Sequence, residues 1–279
     1  MSKMNVLITA GGTAEAIDAV RSITNYSTGQ LGRTIAERFA KEGASITYIC
    51  GQNAALPAIK DINIIPIKNV QELAEAIEAQ LDNHKYDCVI HSMAVSDYTP
   101  NAVLTLEDIA EKIANNYTIS TTNGVGAASC RPQTSTHNKD NGQIQLNKDS
   151  ISNAIKQALQ PPIKPLTKTK LSSKAQDLII HLKQTPKVIQ LIKSKQPETI
   201  LVGFKLLSNA TEAQLLQAAN EVLTKNACDL VIANDLQNIN SNTHKAILIN
   251  KSGQTHTANT KQEIAEIILA SVSERMKNQ

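Results

Sequence analysis

Short, continuous apolar runs alternate along this chain with stripes of apolar residues at helical spacing. Runs typical of strands buried on both faces occupy residues 6–10, 45–50, 62–67, 88–93, 199–204 and 230–233. Between several of them, apolar residues recur every three or four positions, as on one face of a helix, in stretches that begin near residues 30, 73 and 215. The alternation predicts a Rossmann-like, doubly wound α/β fold, with a mostly parallel sheet and helices on both faces.

The carboxy-terminal part of the chain adds antiparallel strands to this pattern. Two short segments, residues 246–250 and 254–257, flank a turn that contains Gly253, which is typical of a β-hairpin. A last helix is predicted after this hairpin, because Thr260 and Glu263 have the spacing of a capping box. The predicted fold therefore includes a C-terminal β-hairpin.

One polar region interrupts the alternation, at residues 115–149. In this stretch 17 of 35 residues are Ser, Thr, Asn or Gln, and no apolar period is present. Because so polar a segment cannot build a core of its own, we expect a flexible surface insert. The rest of the chain shows no internal repeat, so the prediction is a single domain over residues 1–279 that carries this insert.

Composition and charge exclude several classes of protein. Hydrophobic residues make up 41% of the chain and charged residues 19%, which is enough apolar content for an ordinary globular core. A net charge of +3 with no long basic block gives no support for nucleic-acid binding. No apolar run reaches membrane-spanning length, and the first residues lack the pattern of a signal peptide. We therefore expect a cytoplasmic protein that binds neither nucleic acid nor membrane.

The first 32 residues carry the strongest indication of a ligand. The first strand is followed by Gly11, Gly12 and Thr13, and a second glycine and hydroxyl cluster, residues 27–29, precedes a predicted helix. Backbone N–H groups in such places attract anions. The pattern favours a phosphorylated ligand, although glycines after a first strand also serve close packing. Neither a P-loop nor a G-x-G-x-x-G fingerprint is present.

The whole string from Gly11 to Gly32 resembles the opening of the phosphopantothenate–cysteine ligases, also called phosphopantothenoylcysteine synthetases. Further segments of the chain are similar to motifs of that family, in the same order: residues 94–98, 170–173, 185–189, 202–205 and 225–235. The similarity is to the stand-alone bacterial type, and it extends from residue 4 to about residue 236.

The resemblance implies a reaction, its co-substrates and its partners. These ligases join 4′-phosphopantothenate to L-cysteine in coenzyme A biosynthesis, through an acyl-nucleotide that forms from CTP with release of pyrophosphate, and CMP leaves when cysteine attacks. The resemblance further implies Mg²⁺ and a homodimer. Since a flavin-dependent decarboxylase domain has no room before Met4, we expect no flavin and a separate phosphopantothenoylcysteine decarboxylase that acts on the product.

The resemblance also assigns roles to residues of this chain. It implies that Asn25, Arg21 and Lys170 are catalytic, and that Asn25 and Arg21 also bind the substrate. The alternatives are a helix-capping asparagine, a surface ion pair and a solvated lysine. Asp97 is expected near the nucleotide and the magnesium ion. The implied nucleotide-binding residues are Gly11, Gly12, Thr13, Ser27, Thr28, Gly29, Ser92, Met93, Ala94, Asp97, Lys170, Pro186, Val188, Ile189, Phe204 and Lys225.

Some choices stay open at this point. The segment after Lys170 is less basic than in many members of the family, so the choice between CTP and ATP as the nucleotide stays open. An NAD(P)-dependent reductase and a non-catalytic nucleotide-binding module share the same kind of fold. The short-chain reductase form requires Tyr-x-x-x-Lys, and none of the five tyrosines is followed by lysine at that spacing.

Overall fold

The computed structural model describes residues 3–60, 62–122, 148–159, 177–240 and 243–277. Its strands, in chain order, are β1 (Asn5–Ala10), β2 (Ala14–Ala16), β3 (Ser22–Thr24), β4 (Ser45–Gly51), β5 (Asn63–Ile67), β6 (Cys88–His91), β7 (Tyr98–Leu104), β8 (Ile179–Gln184), β9 (Ile200–Leu207), β10 (Leu230–Ile239), β11 (His244–Asn250) and β12 (Thr255–Ala258). Its helices are α1 (Gln30–Lys41), α2 (Val70–Asn83), α3 (Leu106–Thr122), α4 (Lys148–Ala158), α5 (Ile189–Lys195), α6 (Glu212–Lys225) and α7 (Lys261–Lys277).

These elements belong to two compact units. The first unit contains residues 1–15, 23–97 and 184–279. The second contains residues 16–22 and 98–183. None of the helices in the described ranges is both long enough and apolar enough to cross a lipid bilayer.

The first unit is built on an eight-stranded sheet with the order β12-β11-β10-β9-β6-β1-β4-β5. Six neighbouring strands of this sheet pair in parallel, namely β10, β9, β6, β1, β4 and β5. The β11–β12 hairpin continues the sheet in antiparallel pairing. The Rossmann-like α/β fold and its C-terminal hairpin are thereby confirmed. The strand order reverses between β1 and β6, which is where open α/β sheets bind their ligands.

Burial on both faces explains why the central strands are continuous apolar runs. Val6 and Ile8 of β1 face one hydrophobic cluster, which includes side chains of α1 and α7. Leu7 faces the opposite cluster, with side chains of α2, α5 and α6. All three residues are completely buried. A strand with helices on each side has no solvent face, so it has no place for polar alternation.

The second unit contains a small sheet and two helices. Strands β7 and β8 form a two-stranded sheet, and α3 and α4 pack against each other. Helix α3 begins with reciprocal hydrogen bonds between Thr105 and Asp108, a capping arrangement that satisfies the first N–H groups of the helix. Residues 115–122 of the expected insert are helical, whereas residues 123–147 lie outside the described residues.

Candidate functional site

A cavity of about 1480 Å³ lies in the first unit, along the carboxyl ends of the central strands. Its walls come from the segments that follow β6 and β8, from the ends of β9 and β10, and from the first turns of α1, α7 and the facing side of α6. This is the switch point of the sheet. The volume exceeds the usual size of a pocket for one drug-sized molecule, about 300–1,000 Å³, so two small substrates can be held together.

Most of the residues assigned by resemblance line this cavity. The lining includes Asn25, Ser27, Thr28, Gly29, Ser92, Met93, Ala94, Asp97, Pro186, Val188, Ile189, Phe204 and Lys225. Gly11, Gly12, Thr13 and Arg21 are not among the lining residues. Lys170 lies outside the described residues. The segments at residues 24–32, 91–97 and 185–189, which are far apart in the chain, therefore meet around one space.

The first turn of α1 presents backbone N–H donors to the cavity. Its N-cap residue is Gly29, in the left-handed conformation with φ 71°, and Oγ1 of Thr28 makes only a long contact of 3.5 Å with the N–H of Gln30. No acidic residue lies in the first turn, and Gly29, Gln30 and Leu31 line the cavity. Unpaired N–H groups and the helix dipole together favour an anion at this position.

The loop of Gly11, Gly12 and Thr13 lies behind the cavity wall. The carbonyl of Gly11 accepts a hydrogen bond from the N–H of Ala94 at 2.8 Å, and the N–H of Thr13 donates to the carbonyl of Ala94 at 3.2 Å. A Cβ atom on Gly12 would lie 2.7 Å from the backbone oxygen of Asn25, so only glycine permits this approach. In this structure the loop supports Ala94 and Asn25. Direct contact of these three residues with a nucleotide stays a prediction.

Asn25 is exposed on the wall of the cavity. Its Nδ2 donates to the carbonyl of Val95 at 3.1 Å. The second N–H of the amide and its Oδ1 have no partner among the described residues, which leaves one donor for a ligand. The alternative role as the cap of the following helix does not hold, because Gly29 is the N-cap of α1 and the side-chain contact near that end comes from Thr28.

Arg21 belongs to the second unit and is held by a single carboxylate. Its Nε and Nη2 both donate to Oδ2 of Asp18, at 3.0 and 2.6 Å, while Oδ1 of Asp18 accepts from the backbone N–H groups of Val20 and Arg21. The Asp18 side chain is completely buried. The structure thus shows Arg21 in an ion pair, and its contact with substrate stays a prediction.

Asp97 shares the cavity with a lysine that the sequence analysis missed. Nζ of Lys187 lies 2.5 Å from Oδ1 of Asp97, with 65% of the Asp97 side chain and 44% of the Lys187 side chain exposed. Lys187 stands inside the segment 185–189, so the motif itself was the signal that could have identified it. The pair places one negative and one positive group where a charged ligand can contact both.

Two buried histidines also line the cavity, and sequence reasoning did not find them either. His91 contacts Thr9 Oγ1 through Nδ1 at 3.0 Å, and Asn234 Nδ2 lies 3.0 Å from Nε2 of His244. Burial lowers the pKa of each histidine to about 4, with the charge of Lys261 as a further cause for His244. Both imidazoles are therefore neutral at physiological pH, and the positive charge of the cavity comes from its lysines: Lys187, Lys205, Lys225 and Lys261.

The sequence profile of the DNA/pantothenate metabolism flavoprotein C-terminal domain family matches residues 1–124 and 162–276. The chain belongs to this family. The match confirms the resemblance that the motifs indicated, and it leaves out residues 125–161, which overlap the polar insert.

Solved and curated members support this family assignment. The crystal structure of the DNA/pantothenate metabolism flavoprotein from Streptococcus pneumoniae is 34% identical, with a TM-score of 0.72 over 98% of this chain and 99% of that one. The coenzyme A biosynthesis bifunctional protein CoaBC of Thermococcus kodakarensis is 29% identical over 94% of this chain and 49% of its own length. Its counterpart from Methanocaldococcus jannaschii is 27% identical over 98% and 51%. The chain spans about half the length of the curated relatives it matches.

Proposed function

We propose that this chain is a phosphopantothenate–cysteine ligase, which joins 4′-phosphopantothenate to L-cysteine in coenzyme A biosynthesis. The observation that carries the proposal is the convergence of Asn25, the first turn of α1 and the Asp97 turn on one cavity at the switch point of the sheet. Membership of a pantothenate-metabolism family, and relatives named for coenzyme A biosynthesis, support it.

The proposed chemistry has two halves, and both place negative charge on oxygen. In the first half, the pantothenate carboxylate attacks the α-phosphate of CTP, and pyrophosphate leaves. In the second half, the cysteine amine attacks the acyl carbon, loses a proton, and CMP leaves. Such a site requires oriented reactants and fixed donors more than a protein nucleophile. The cavity has neutral imidazoles, lysines and backbone N–H groups, which suit that requirement.

Individual residues have definite tasks in this proposal. The second N–H of Asn25 donates to the acyl oxygen, on which negative charge develops when the cysteine amine attacks in the second half. The first turn of α1 binds a phosphate group, together with the hydroxyl groups of Ser27 and Thr28. Lys225 contributes positive charge to the triphosphate from the end of α6. Lys170 has the same task in the proposal, by resemblance.

A magnesium ion fits the donor set around Asp97. Among the described residues there is no group of three His, Cys, Asp or Glu side chains that could hold a metal alone. Mg²⁺ is usually bound through one or two carboxylates, waters and substrate phosphates, so the single carboxylate of Asp97 is sufficient in the presence of a nucleotide. When bound, the ion would neutralise the phosphates and the pyrophosphate that leaves.

The nucleobase and the partner molecules complete the proposal. Pro186, Val188, Ile189 and Phe204 offer an apolar wall for the base of CTP. The ligation itself needs no flavin, and its product is the substrate of a phosphopantothenoylcysteine decarboxylase. We expect a cytoplasmic homodimer. The second unit supports the dimer, because it exposes several large apolar side chains, which are Val20, Tyr98, Leu106, Ile151, Ile155, Leu178 and Leu182.

Release of pyrophosphate is the experiment that tests this function. The protein is incubated with 4′-phosphopantothenate and either CTP or ATP, without cysteine, and the mixture is analysed for pyrophosphate and, by mass spectrometry, for acyl-nucleotide. We expect both products with CTP, and none when phosphopantothenate is omitted. If folded protein released no pyrophosphate with either nucleotide, the ligase proposal would be wrong. Nucleotide binding without turnover would then indicate a non-catalytic module.

A further inference from the structure

The segment that carries Asp97, residues 94–97, is held almost entirely by groups from other parts of the chain. It follows β6, and none of its residues belongs to a regular strand or helix. We call this segment the 94–97 turn. Each of its four carbonyl oxygens nevertheless accepts a hydrogen bond, from backbone or side-chain donors of Thr13, Asn25 and Thr185. Two threonines therefore determine where this part of the cavity wall lies.

Thr185 holds the second half of the turn. Its Oγ1 donates to the carbonyl of Ser96 at 2.6 Å, and its N–H donates to the carbonyl of Asp97 at 3.0 Å. The residue is buried, so water does not compete for these bonds. Two positions later, Lys187 reaches the carboxylate of Asp97. A single threonine thus fixes both the main chain of Asp97 and the start of the segment that contacts its side chain.

Thr13 holds the turn from the opposite side. Its Oγ1 accepts from the N–H of Ser96 at 3.0 Å, and its N–H donates to the carbonyl of Ala94 at 3.2 Å. The carbonyl of Thr13 accepts from the hydroxyl of Thr24 at 2.8 Å, and Thr24 directly precedes Asn25. Thr13 is completely buried and does not line the cavity. A continuous series of hydrogen bonds therefore joins the Asn25 segment to the turn.

We propose that Thr13 and Thr185 are positioning residues, whose buried hydroxyl groups set the separation between Asn25 and Asp97. The inference rests on the proposed function, in which Asn25 donates to the acyl oxygen and Asp97 holds the magnesium ion beside the nucleotide phosphates. Removing either hydroxyl leaves a buried polar group of Ser96 without its partner, and the turn must move to recover one. The pantothenate carboxylate and the α-phosphate of the nucleotide then lose their alignment.

Matched variants separate the hydroxyl group from the shape of the side chain. Thr185→Val and Thr13→Val remove the hydroxyl and keep the volume, whereas Thr185→Ser and Thr13→Ser keep the hydroxyl and lose a methyl group. Because a misplacement of about 1 Å can cost on the order of 10²-fold, we expect kcat/KM for pyrophosphate release to fall about 10- to 100-fold in the valine variants. The serine variants should stay close to wild type.

Two further measurements separate positioning from loss of fold and from failure of the proposed function. Thermal unfolding shows that each variant is folded at the assay temperature, and amide hydrogen exchange should be faster at Ser96 in Thr13→Val. Folded valine variants with wild-type kcat/KM would overturn the proposal. If the wild type itself releases no pyrophosphate, the proposed function fails on its own. Calorimetric binding of CTP then decides the inference: weaker binding to Thr185→Val than to Thr185→Ser supports it, and equal binding overturns it.

Discussion

Asp229 offers a direct test of how the first unit is held together. Its carboxylate is almost fully buried and accepts the N–H of Leu201 at 2.8 Å. Three cations contact it: Lys193 of α5 at 2.9 Å, Lys251 of the hairpin turn at 2.7 Å and Arg275 of α7 at 2.8 Å. One side chain therefore links β9, α5, the hairpin and α7. The perturbation we choose is Asp229→Asn, which keeps the size and removes the charge.

The expected loss of stability follows from which partners stay buried. Only 15% of the Lys193 side chain is exposed, so its ammonium group cannot move into water when the carboxylate is removed. Removing one partner of a buried ion pair costs about 3–5 kcal/mol of stability, because the other charge stays buried without compensation. Lys193 also donates to the carbonyls of Pro197 and Thr199, which still compensate part of its charge. We therefore expect the lower end, about 3 kcal/mol, which corresponds to a fall in Tm of about 6–12 °C.

The pH dependence of this loss in stability shows whether the charge of the Asp229 carboxylate is its cause. Burial alone would raise the pKa of Asp229, but the N–H of Leu201 and the ammonium groups of Lys251 and Lys193 outweigh it and lower the pKa. A carboxyl group with a lowered pKa stabilises the fold above its unfolded pKa, and this stabilisation disappears as the pH falls through the folded pKa. The difference between wild type and variant should be constant near pH 7 and shrink below about pH 3.9.

Equilibrium unfolding in urea at several pH values measures this difference. The midpoint should decrease while the slope is unchanged. Asp82→Asn is the matched control, because Asp82 makes an exposed ion pair with Lys195 and such pairs contribute little. A loss below about 1 kcal/mol at pH 7, within the range of ordinary surface substitutions, would refute the reasoning. So would a loss that is the same at every pH.

Two further predictions concern the reaction and the assembly. Asn25→Asp should lower formation of the cysteine adduct on the order of 10²–10³-fold, because a carboxylate cannot donate to the oxyanion that develops when cysteine attacks the acyl-nucleotide; a folded variant with near wild-type turnover would contradict the role of Asn25. Leu182→Asp should convert the expected dimer to monomer in analytical ultracentrifugation, whereas Leu56→Asp, at an exposed leucine of the first unit, should not. A wild type that is monomeric at all concentrations would contradict the dimer.

Most of the strands that the sequence predicted have helices on both sides, and the others are the edge strand β5 and the β11–β12 hairpin, which its turn identifies. β1, β4, β6, β9 and β10 are apolar because each is buried on two faces, and burial of that kind is visible in a single run of residues. β7 and β8 pair only with each other. β7 contains Pro100 and Asn101, which strands disfavour, and β8 ends in the exposed polar residues Lys183 and Gln184. Their pairing spans 75 or more residues, so no local sequence signal connects the two strands.

In the candidate site, too, the features that could be predicted come from one short segment, and those that could not depend on residues far apart in the chain. The motifs predicted Asn25 and residues 27–29 because anion-binding chemistry and its spacing lie within one short segment. The role that the structure shows for Gly12 could not be predicted, since the need for glycine arises from Asn25, 13 positions away, whose backbone oxygen occupies the place of a Cβ. Glycine after a first strand is compatible with anion binding and with close packing. Only the three-dimensional structure shows which neighbour is present.

Positioning by threonine is the extreme case of this limit. Thr13 and Thr185 both stand inside motifs of the sequence, but the bonds that matter join them to Ser96 across 83 and 89 positions. A hydroxyl group has no periodicity and no charge, so its role depends wholly on which carbonyl or N–H the fold brings to it. For the same reason, the motif alone implied that Thr13 contacts the nucleotide, and it could not show that Thr13 holds the 94–97 turn from behind the cavity wall. Activity in this chain should therefore be sensitive to substitutions at buried residues, such as Thr13, that do not line the cavity.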